Sequence, residues 1–324
     1  MIGCATLGGN DAKAQDGDLH PRDVMNRDAI RFRLAELIAA EGLPRRFEDL
    51  AGSLLAPLTL RLRRLVDAAP GPVVVGLTGP QGSGKSTAGK ALATLAAADG
   101  LRAEVLALDD FYLTRAEREG LAQEIHPLLL TRGPPGTHDP QLATTTIQAL
   151  ARPAATPVPR FDKGVDDRLP SAEWPIVEGP ADIIFFEGWC VGARPQPSAA
   201  LDAPVNELER LEDPDRRWRT FVNEALSCDY QSLFALVDVQ VLFCAPSFGT
   251  VLDWRLQQEH KLRARRPGAG QTDAEIARFV QHYERLTRHI ADEMPPRADV
   301  LVRLAPDRSL ETVAWRRAYS TIAE

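Results

Sequence analysis

The feature of this chain that most constrains its fold is a glycine-rich turn between a run of β-branched residues and a run of helix formers. Residues 73 to 87 read VVVGLTGPQGSGKST, in which glycine, lysine and serine stand at the spacing G-x-x-x-x-G-K-[ST]. Residues 73 to 77 have the composition of a buried parallel strand. Residues 88 to 98 are rich in Ala and Leu, as helices are. This order predicts an α/β fold.

The same turn predicts a nucleoside triphosphate site. In loops of this kind backbone N–H groups surround a phosphate, the lysine reaches the β and γ phosphates, and the serine hydroxyl binds Mg²⁺. The alternative is a glycine-rich turn without a ligand, which the flanking strand and helix disfavour. We therefore expect ATP and Mg²⁺ as cofactors. The expected nucleotide-binding residues are Gly79, Pro80, Gln81, Gly82, Ser83, Gly84, Lys85, Ser86 and Thr87.

Composition argues against several other classes of protein. The net charge is −7, whereas a nucleic-acid-binding protein needs a basic footprint. No apolar run approaches the roughly 18 residues that span a bilayer. The four cysteines form no C-x-x-C pair, which is typical of free thiols in a reducing cytosol. We expect a cytoplasmic protein with a small-molecule partner and neither nucleic acid nor membrane; the oligomeric state stays open.

Strand and helix patterns alternate along the rest of the chain. Strands are expected at residues 103–108, 181–189, 237–245 and 298–304, and helices at 248–265 and 273–292. Such alternation predicts a parallel sheet with helices on both faces. Residues 1–20 lack the apolar core of a signal peptide and are expected to be a frayed tail. We divide the remainder into an N-terminal helical extension (21–70) and an α/β domain (71–324).

Two segments of that domain are candidates for binding the substrate. Residues 113–180 form a long insertion that is rich in Pro, Gly and charge, with one helix near 140–151; such insertions are often functional. Residues 248–270 are expected to form a lid, because a charged helix there ends at glycines.

Acidic residues follow two of the expected strands. Ligands of an open parallel sheet bind at the carboxyl ends of the strands, where Asp109, Asp110 and Glu187 stand. Asp109 can accept the proton of an attacking hydroxyl or hold Mg²⁺, or it can be a turn residue. For Asp110 the sequence does not decide between a functional role and a turn residue. Glu187, on a buried strand, is expected beside Mg²⁺ together with Ser86, because a buried, unpaired carboxylate would be costly.

The insertion supplies candidate anion-binding residues. Arg132 precedes a Gly/Pro turn and is a candidate anion clamp. His138 can orient a substrate hydroxyl or be a hydrogen-bonded turn residue, whereas Asp139 before Pro140 is expected to cap a helix. Further along, PRFDKGVDDR carries a group of cations that form either a solvated loop or a carboxylate site: Arg160, Lys163 and Arg168.

The helix after the fourth strand carries charges at a spacing of four. Arg255, Glu259 and Arg263 form either a surface ion-pair ladder or a lid whose arginines close over the transferring phosphoryl group. The position after the strand favours the lid role for Arg255, whereas the two readings of Arg263 are nearly balanced.

Taken together, the motifs LDDFYLT, RGPPGTHD, PRFDKGVDDR, FFEGW and DWRLQQE resemble those of plant-type D-glycerate 3-kinases. They resemble uridine kinase, phosphoribulokinase and pantothenate kinase more distantly. The resemblance extends from about residue 70 to residue 305. It implies a fold of the P-loop NTPase type and transfer of the ATP γ-phosphoryl group to D-glycerate, giving 3-phosphoglycerate.

The resemblance also assigns roles to single residues. It makes Asp109 the general base with Tyr112 close to the substrate, and places the family's arginine after the F-D motif on Arg168. Glu187 becomes the strand-end acid, and Arg255 becomes a lid arginine, with Arg263 a weaker match. Lys85 of the phosphate loop is the remaining expected catalytic residue. Two alternatives remain: a kinase of another hydroxyl substrate, such as a nucleoside or pantothenate, and an ATP-binding switch without an acceptor.

Overall fold

The computed structural model describes residues 21–40, 46–265 and 270–316. The expected tail at residues 1–20 lies outside the described residues. The α-helices are α1 (Pro21–Ala40), α2 (Arg46–Leu50), α3 (Ala56–Ala68), α4 (Lys85–Ala98), α5 (Arg115–Glu124), α6 (Pro140–Leu150), α7 (Glu207–Glu212), α8 (Arg217–Ser227), α9 (Asp229–Phe234), α10 (Phe248–Arg265) and α11 (Asp273–Glu293). A π-helical turn, Ala51–Leu55, joins α2 to α3.

A six-stranded sheet lies at the centre of the fold. The strands are β1 (Val73–Thr78), β2 (Ala103–Ala107), β3 (Ala155–Pro157), β4 (Phe161–Asp162), β5 (Asp167–Arg168), β6 (Ile176–Glu178), β7 (Ile183–Gly188), β8 (Val239–Cys244), β9 (Val300–Leu304) and β10 (Leu310–Trp315). The central sheet has the order β10-β9-β8-β1-β7-β2, while β3-β6 and β4-β5 form two small hairpin-like pairs. All neighbours in the central sheet are parallel except β9 and β10.

The expected α/β fold is confirmed, with two local corrections. The final strand β10 was not expected, and it makes one edge of the sheet antiparallel. The second strand ends at Ala107 rather than at residue 108, because Leu108–Phe111 turns into a 3₁₀ helix. That turn swings the acidic pair 109–110 out of the line of the strand.

Each face of the central sheet carries its own apolar core. Val75 of β1 and Phe185 of β7 point to one face, where α1, α3 and α4 pack. Val74 and Ile184 point to the opposite face, where α6, α9 and α11 pack. Strands buried on both faces read as continuous apolar runs, which is why the sequence signals for β1 and β7 are so plain.

The N-terminal helices share the first of these cores. Leu54, Leu58 and Leu62 are almost completely buried together with Leu92 and Leu95 of α4. Within the expected helical extension, residues 21–40 and 46–68 are helical. The boundary between an extension and a kinase domain at residue 70 stays a prediction. No helix in the described ranges combines the length and apolar character that a bilayer crossing requires.

The insertion after β2 is more structured than expected. Besides the expected helix α6, it contains α5, which begins with a capping box formed by Thr114 and Glu117. Asp139 caps α6 as expected, because its Oδ1 accepts a hydrogen bond of 2.9 Å from the Leu142 amide. Between α6 and β7 the strands β4 and β5 form a tight hairpin, residues 161–168. Its turn residue Lys163 contacts Asp109, in the 3₁₀ turn that follows β2.

Candidate active site

The phosphate-binding loop lies where β1 ends and α4 begins. Gly82 and Gly84 have φ of +81° and +86°, a left-handed conformation that favours glycine. A Cβ on Gly82 would lie 2.8 Å from Cβ of Trp254 in α10. The loop is thus bent tightly under α10 with its open side toward the start of α4. The buried Ser83 hydroxyl has no hydrogen-bond partner among the described residues, which fits a loop shaped for a phosphate ligand at a helix N-terminus.

Two oxygen ligands suited to Mg²⁺ meet beside this loop. The Ser86 hydroxyl donates a hydrogen bond of 2.7 Å to Glu187 Oε1, and Lys85 Nζ lies 3.9 Å from Glu187 Oε2. Hydroxyl and carboxylate oxygens are the ligands that Mg²⁺ takes in proteins. The Glu187 side chain is largely buried, with 12% exposed, but it is not unpaired as the sequence argument assumed. Its contacts with Ser86 and Lys85 therefore replace the argument from an isolated buried charge.

Asp109 lies across the cleft from that pair. Its Oδ2 accepts a hydrogen bond of 2.6 Å from Lys163 Nζ, and its Oδ1 accepts one of 2.9 Å from the Tyr112 hydroxyl. Burial alone would raise the pKa of Asp109, but Lys163 and then Lys85 outweigh it and hold the pKa at about 2. Asp109 is therefore a carboxylate at any working pH, as a base for a hydroxyl proton must be.

These residues line one cleft of about 340 Å³. Its cations and acids come from the phosphate loop, the strand ends, the insertion and α10. The lining side chains that carry charge are Lys85, Asp109, Asp110, Arg132, Lys163, Glu187 and Arg255. A carboxylate, an ordered loop lysine and several further cations around one cavity are suited to moving a phosphoryl group onto a small acceptor.

Arg132 lines the cleft on a loop that hydrogen bonds from other segments hold in place. Its guanidinium pairs with Asp166 of the β4–β5 turn. Its backbone carbonyl accepts a hydrogen bond of 2.8 Å from the Tyr283 hydroxyl, and the next carbonyl, of Gly133, accepts one of 3.0 Å from Trp189 Nε1. Arg132, Lys163 and Tyr112 are thus the expected substrate residues that the structure brings to the cleft.

His138 lies behind the cleft rather than on its wall. Its side chain is 3% exposed, its ring stacks on that of Tyr112 at 4.5 Å between centroids, and its Nδ1 lies 2.7 Å from the Tyr230 hydroxyl. Burial lowers the pKa of His138 to about 4. Of the two readings of this residue, the hydrogen-bonded turn histidine fits these contacts better.

Arg160 and Arg168 also lie outside the lining of the cleft. Arg160 Nη1 is 3.4 Å from Asp110 Oδ2. Arg168 lies between Glu117 and Asp139, with its nitrogens 3.6 Å and 3.5 Å from their carboxylates. The partners of a charged side chain depend on tertiary contacts, so the sequence did not separate these two arginines from Arg132 and Lys163.

In α10 only the first of the two expected lid arginines reaches the cleft. Arg255 lines it, and its Nη1 donates a hydrogen bond of 2.8 Å to the buried Glu259. Arg263 pairs instead with Asp273 at the start of α11. The predicted lid, residues 248–270, includes residues 266–269, which lie outside the described residues.

Five lining residues were not expected from the sequence: Ala107, Trp189, Gln258, Phe279 and Tyr283. Phe279 and Tyr283 stand one turn apart on α11, and their spacing was a usable but unspecific signal, because the same pattern marks any buried helix face. These two residues and Trp189, which follows β7 directly, give the cleft aromatic walls.

Comparison with known proteins identifies the family. No protein-family model matches the chain. The uncharacterized kinase mug58 of Schizosaccharomyces pombe is 35% identical over 227 residues, which are 65% of this chain and 78% of that protein. The chloroplastic D-glycerate 3-kinase of Arabidopsis thaliana is 35% identical over 224 residues, 65% of this chain and 46% of the plant protein.

A solved structure gives the same result. The D-glycerate 3-kinase of Cryptococcus neoformans var. grubii superimposes with a TM-score of 0.68 at 26% identity, covering 82% of this chain and 99% of that one. Both the sequence relatives and the fold neighbour are kinases. This chain belongs to the family of P-loop kinases that contains mug58 and the D-glycerate 3-kinases.

Proposed function

We propose that this kinase transfers the γ-phosphoryl group of ATP to the 3-hydroxyl of D-glycerate, giving 3-phosphoglycerate and ADP. The observation that carries the proposal is the shared cleft. The carboxylate of Asp109 faces the same cavity as Lys85 and Ser86 of the phosphate loop, and two cations from the insertion border it. The names of the Arabidopsis and Cryptococcus relatives support glycerate as the acceptor.

The roles of the nucleotide-side residues follow from their positions. Lys85 and the loop amides hold the phosphates of ATP, and the N-terminus of α4 adds its positive end. Ser86 and Glu187 would hold Mg²⁺, which neutralises phosphate charge when bound. Arg255 enters the cleft from α10 and would stabilise the charge that develops on the transferring group.

The acceptor side is built around Asp109. Its carboxylate would accept the proton of the attacking hydroxyl, while Tyr112 holds the carboxylate in place through Oδ1. Lys163 and Arg132 give a small acid two cationic partners, of which a guanidinium suits a carboxylate especially well. A neutral nucleoside would leave both of these charges unused.

The compartment and the metal are proposals of the same kind. Cys190, Cys228 and Cys244 are free thiols, which supports a reducing compartment such as the cytosol. The contact between Ser86 and Glu187 supports Mg²⁺.

The test is product identification by NMR after incubation with ATP, Mg²⁺ and D-glycerate. The expected product is 3-phosphoglycerate. A parallel panel of L-glycerate, glycerol, uridine and pantothenate with ADP readout separates the alternatives. Activity on uridine or pantothenate without activity on D-glycerate contradicts the acceptor assignment. Slow ATP hydrolysis that no acceptor stimulates favours the switch reading instead.

A further inference from the structure

We propose that Lys163 makes phosphoryl transfer conditional on an anionic acceptor. Its ammonium group covers the carboxylate of Asp109 until the acceptor's own carboxylate draws it away. The inference rests on the proposed function, because it takes Asp109 as the general base, and it adds a specificity-determining role for one cation of the cleft.

Lys163 and Tyr112 together occupy both carboxylate oxygens of Asp109. Lys163 Nζ lies 2.6 Å from Asp109 Oδ2, and the Tyr112 hydroxyl engages the other oxygen at 2.9 Å. Both oxygens of the base therefore already accept a hydrogen bond. A carboxylate that is bonded to an ammonium group is a weaker acceptor for a further proton. In this arrangement Asp109 is poorly prepared to activate any hydroxyl, including that of water.

The hairpin that carries Lys163 is anchored on both sides of its turn. On the β4 side, the Phe161 amide donates a hydrogen bond of 3.2 Å to Asp110 Oδ1. Asp166, at φ of +60°, pairs with Arg132 and with Arg118, whose side chain is 1% exposed. Lys163 stands on the other side of the turn, before Gly164. Its side chain is 60% exposed, and Asp109 is its ion-pair partner. A long, exposed side chain on a fixed hairpin can change partners by rotating its own bonds.

The charges of the cleft indicate which kind of ligand would draw Lys163 away from Asp109. A ligand shifts an equilibrium between two arrangements only by the difference in its affinity for them. Water and neutral alcohols carry no negative charge, so they cannot compete with Asp109 for the ammonium group of Lys163. An acceptor with a carboxylate offers one, and Arg132 stands in the same cleft to hold that carboxylate. Only an acidic acceptor therefore uncovers the base while it binds.

The consequence is protection of ATP from water. In hydrolysis a water oxygen bonds to the γ-phosphorus, the bond to the bridging oxygen of ADP breaks, and the proton of the water passes to Asp109. With Lys163 on Asp109 the proton acceptor is engaged, so hydrolysis is slow while the acceptor site is empty.

The test compares Lys163→Met, Lys163→Arg and the control Lys90→Met, which alters an exposed residue of α4. ADP release is measured with no acceptor, with D-glycerate and with glycerol. Lys163→Met is expected to raise acceptor-free hydrolysis about tenfold, a part of the 10²–10⁴-fold that a general base supplies. It is also expected to lower kcat/KM for D-glycerate and to narrow the preference for D-glycerate over glycerol. Lys163→Arg and Lys90→Met should keep hydrolysis low.

A double variant tests whether the extra hydrolysis depends on Asp109. Lys163→Met combined with Asp109→Asn should lose the extra hydrolysis, because the uncovered base is gone. The inference is overturned if Lys163→Met leaves acceptor-free hydrolysis at or below the wild-type rate, or if the double variant retains the increase. The hydrolysis arm needs no glycerate, so a wild-type enzyme inactive on glycerate contradicts the proposed function without deciding this result.

Discussion

Replacing Asp109 by asparagine removes the charge of the base while keeping its shape. The asparagine side chain can still accept the Tyr112 hydroxyl bond of 2.9 Å, so the geometry of the cleft should persist. What is lost is the proton acceptor, and general base catalysis is worth about 10²- to 10⁴-fold. At 1.36 kcal/mol per decade this is about 3 to 5 kcal/mol of transition-state stabilisation.

The substitution should leave the fold and the nucleotide site nearly unchanged. The Asp109 and Lys163 side chains are 32% and 60% exposed, and ion pairs open to solvent contribute about 1 kcal/mol or less. We expect kcat to fall at least about 100-fold, with the affinity for ATP, measured by calorimetry, close to that of the wild type.

Steady-state ADP release with D-glycerate measures kcat and KM for Asp109→Asn. The matched control is Asp67→Asn, which removes a carboxylate from an exposed ion pair with Arg63 on α3 and should behave like the wild type. Wild-type turnover in Asp109→Asn would remove this residue from the chemistry. An equal loss of ATP affinity would instead indicate damage to the phosphate loop.

Three further predictions concern the loop, the core and pH. Gly82→Ala forces a side chain into φ of +81° and to 2.8 Å from Trp254 Cβ, so ATP affinity, followed by calorimetry, should fall about tenfold or more, or about 1.4 kcal/mol; unchanged affinity contradicts this. Leu54→Ala empties a fully buried site and should lower the free energy of unfolding by about 2–5 kcal/mol in urea titrations, whereas a loss below 1 kcal/mol would show a loosely packed extension. Burial lowers the pKa of His138 and His282 to about 4 from 6.5, so the unfolded chain binds more protons between these values. Stability should therefore fall from pH 6.5 toward pH 4, by up to about 1.4 kcal/mol per pH unit for each histidine, and a urea midpoint at pH 5 no lower than at pH 7 refutes it.

The sequence revealed the parts of this molecule that depend on local backbone geometry. The phosphate loop, the strand ending in Glu187 and the cap at Asp139 each follow from residues within a few positions of one another. Asp109 was found because the carboxyl ends of parallel strands meet at one edge. These are short-range rules that need no knowledge of distant contacts.

The remainder depends on contacts between distant segments. Arg132, Arg160 and Arg168 have the same chemistry. Only the folded insertion shows that Arg132 lines the cleft, whereas Arg160 lies outside the lining beside Asp110 and Arg168 lies between Glu117 and Asp139. Tyr283 reaches Arg132 across 151 positions of sequence. Strand β10 was missed because it is a short edge strand without a buried residue, and Glu311 and Thr312 interrupt its apolar residues.

The placement of the N-terminal helices has a practical consequence for anyone who trims this chain. Leu54, Leu58 and Leu62 form one wall of the packing around α4, the helix that begins with Lys85. A shortened protein starting at residue 71 would leave Leu92 and Leu95 of that helix facing water. Such a fragment would expose an apolar surface on the helix that begins at the nucleotide site. A minimal catalytic unit therefore has to retain the leucines that precede the first strand.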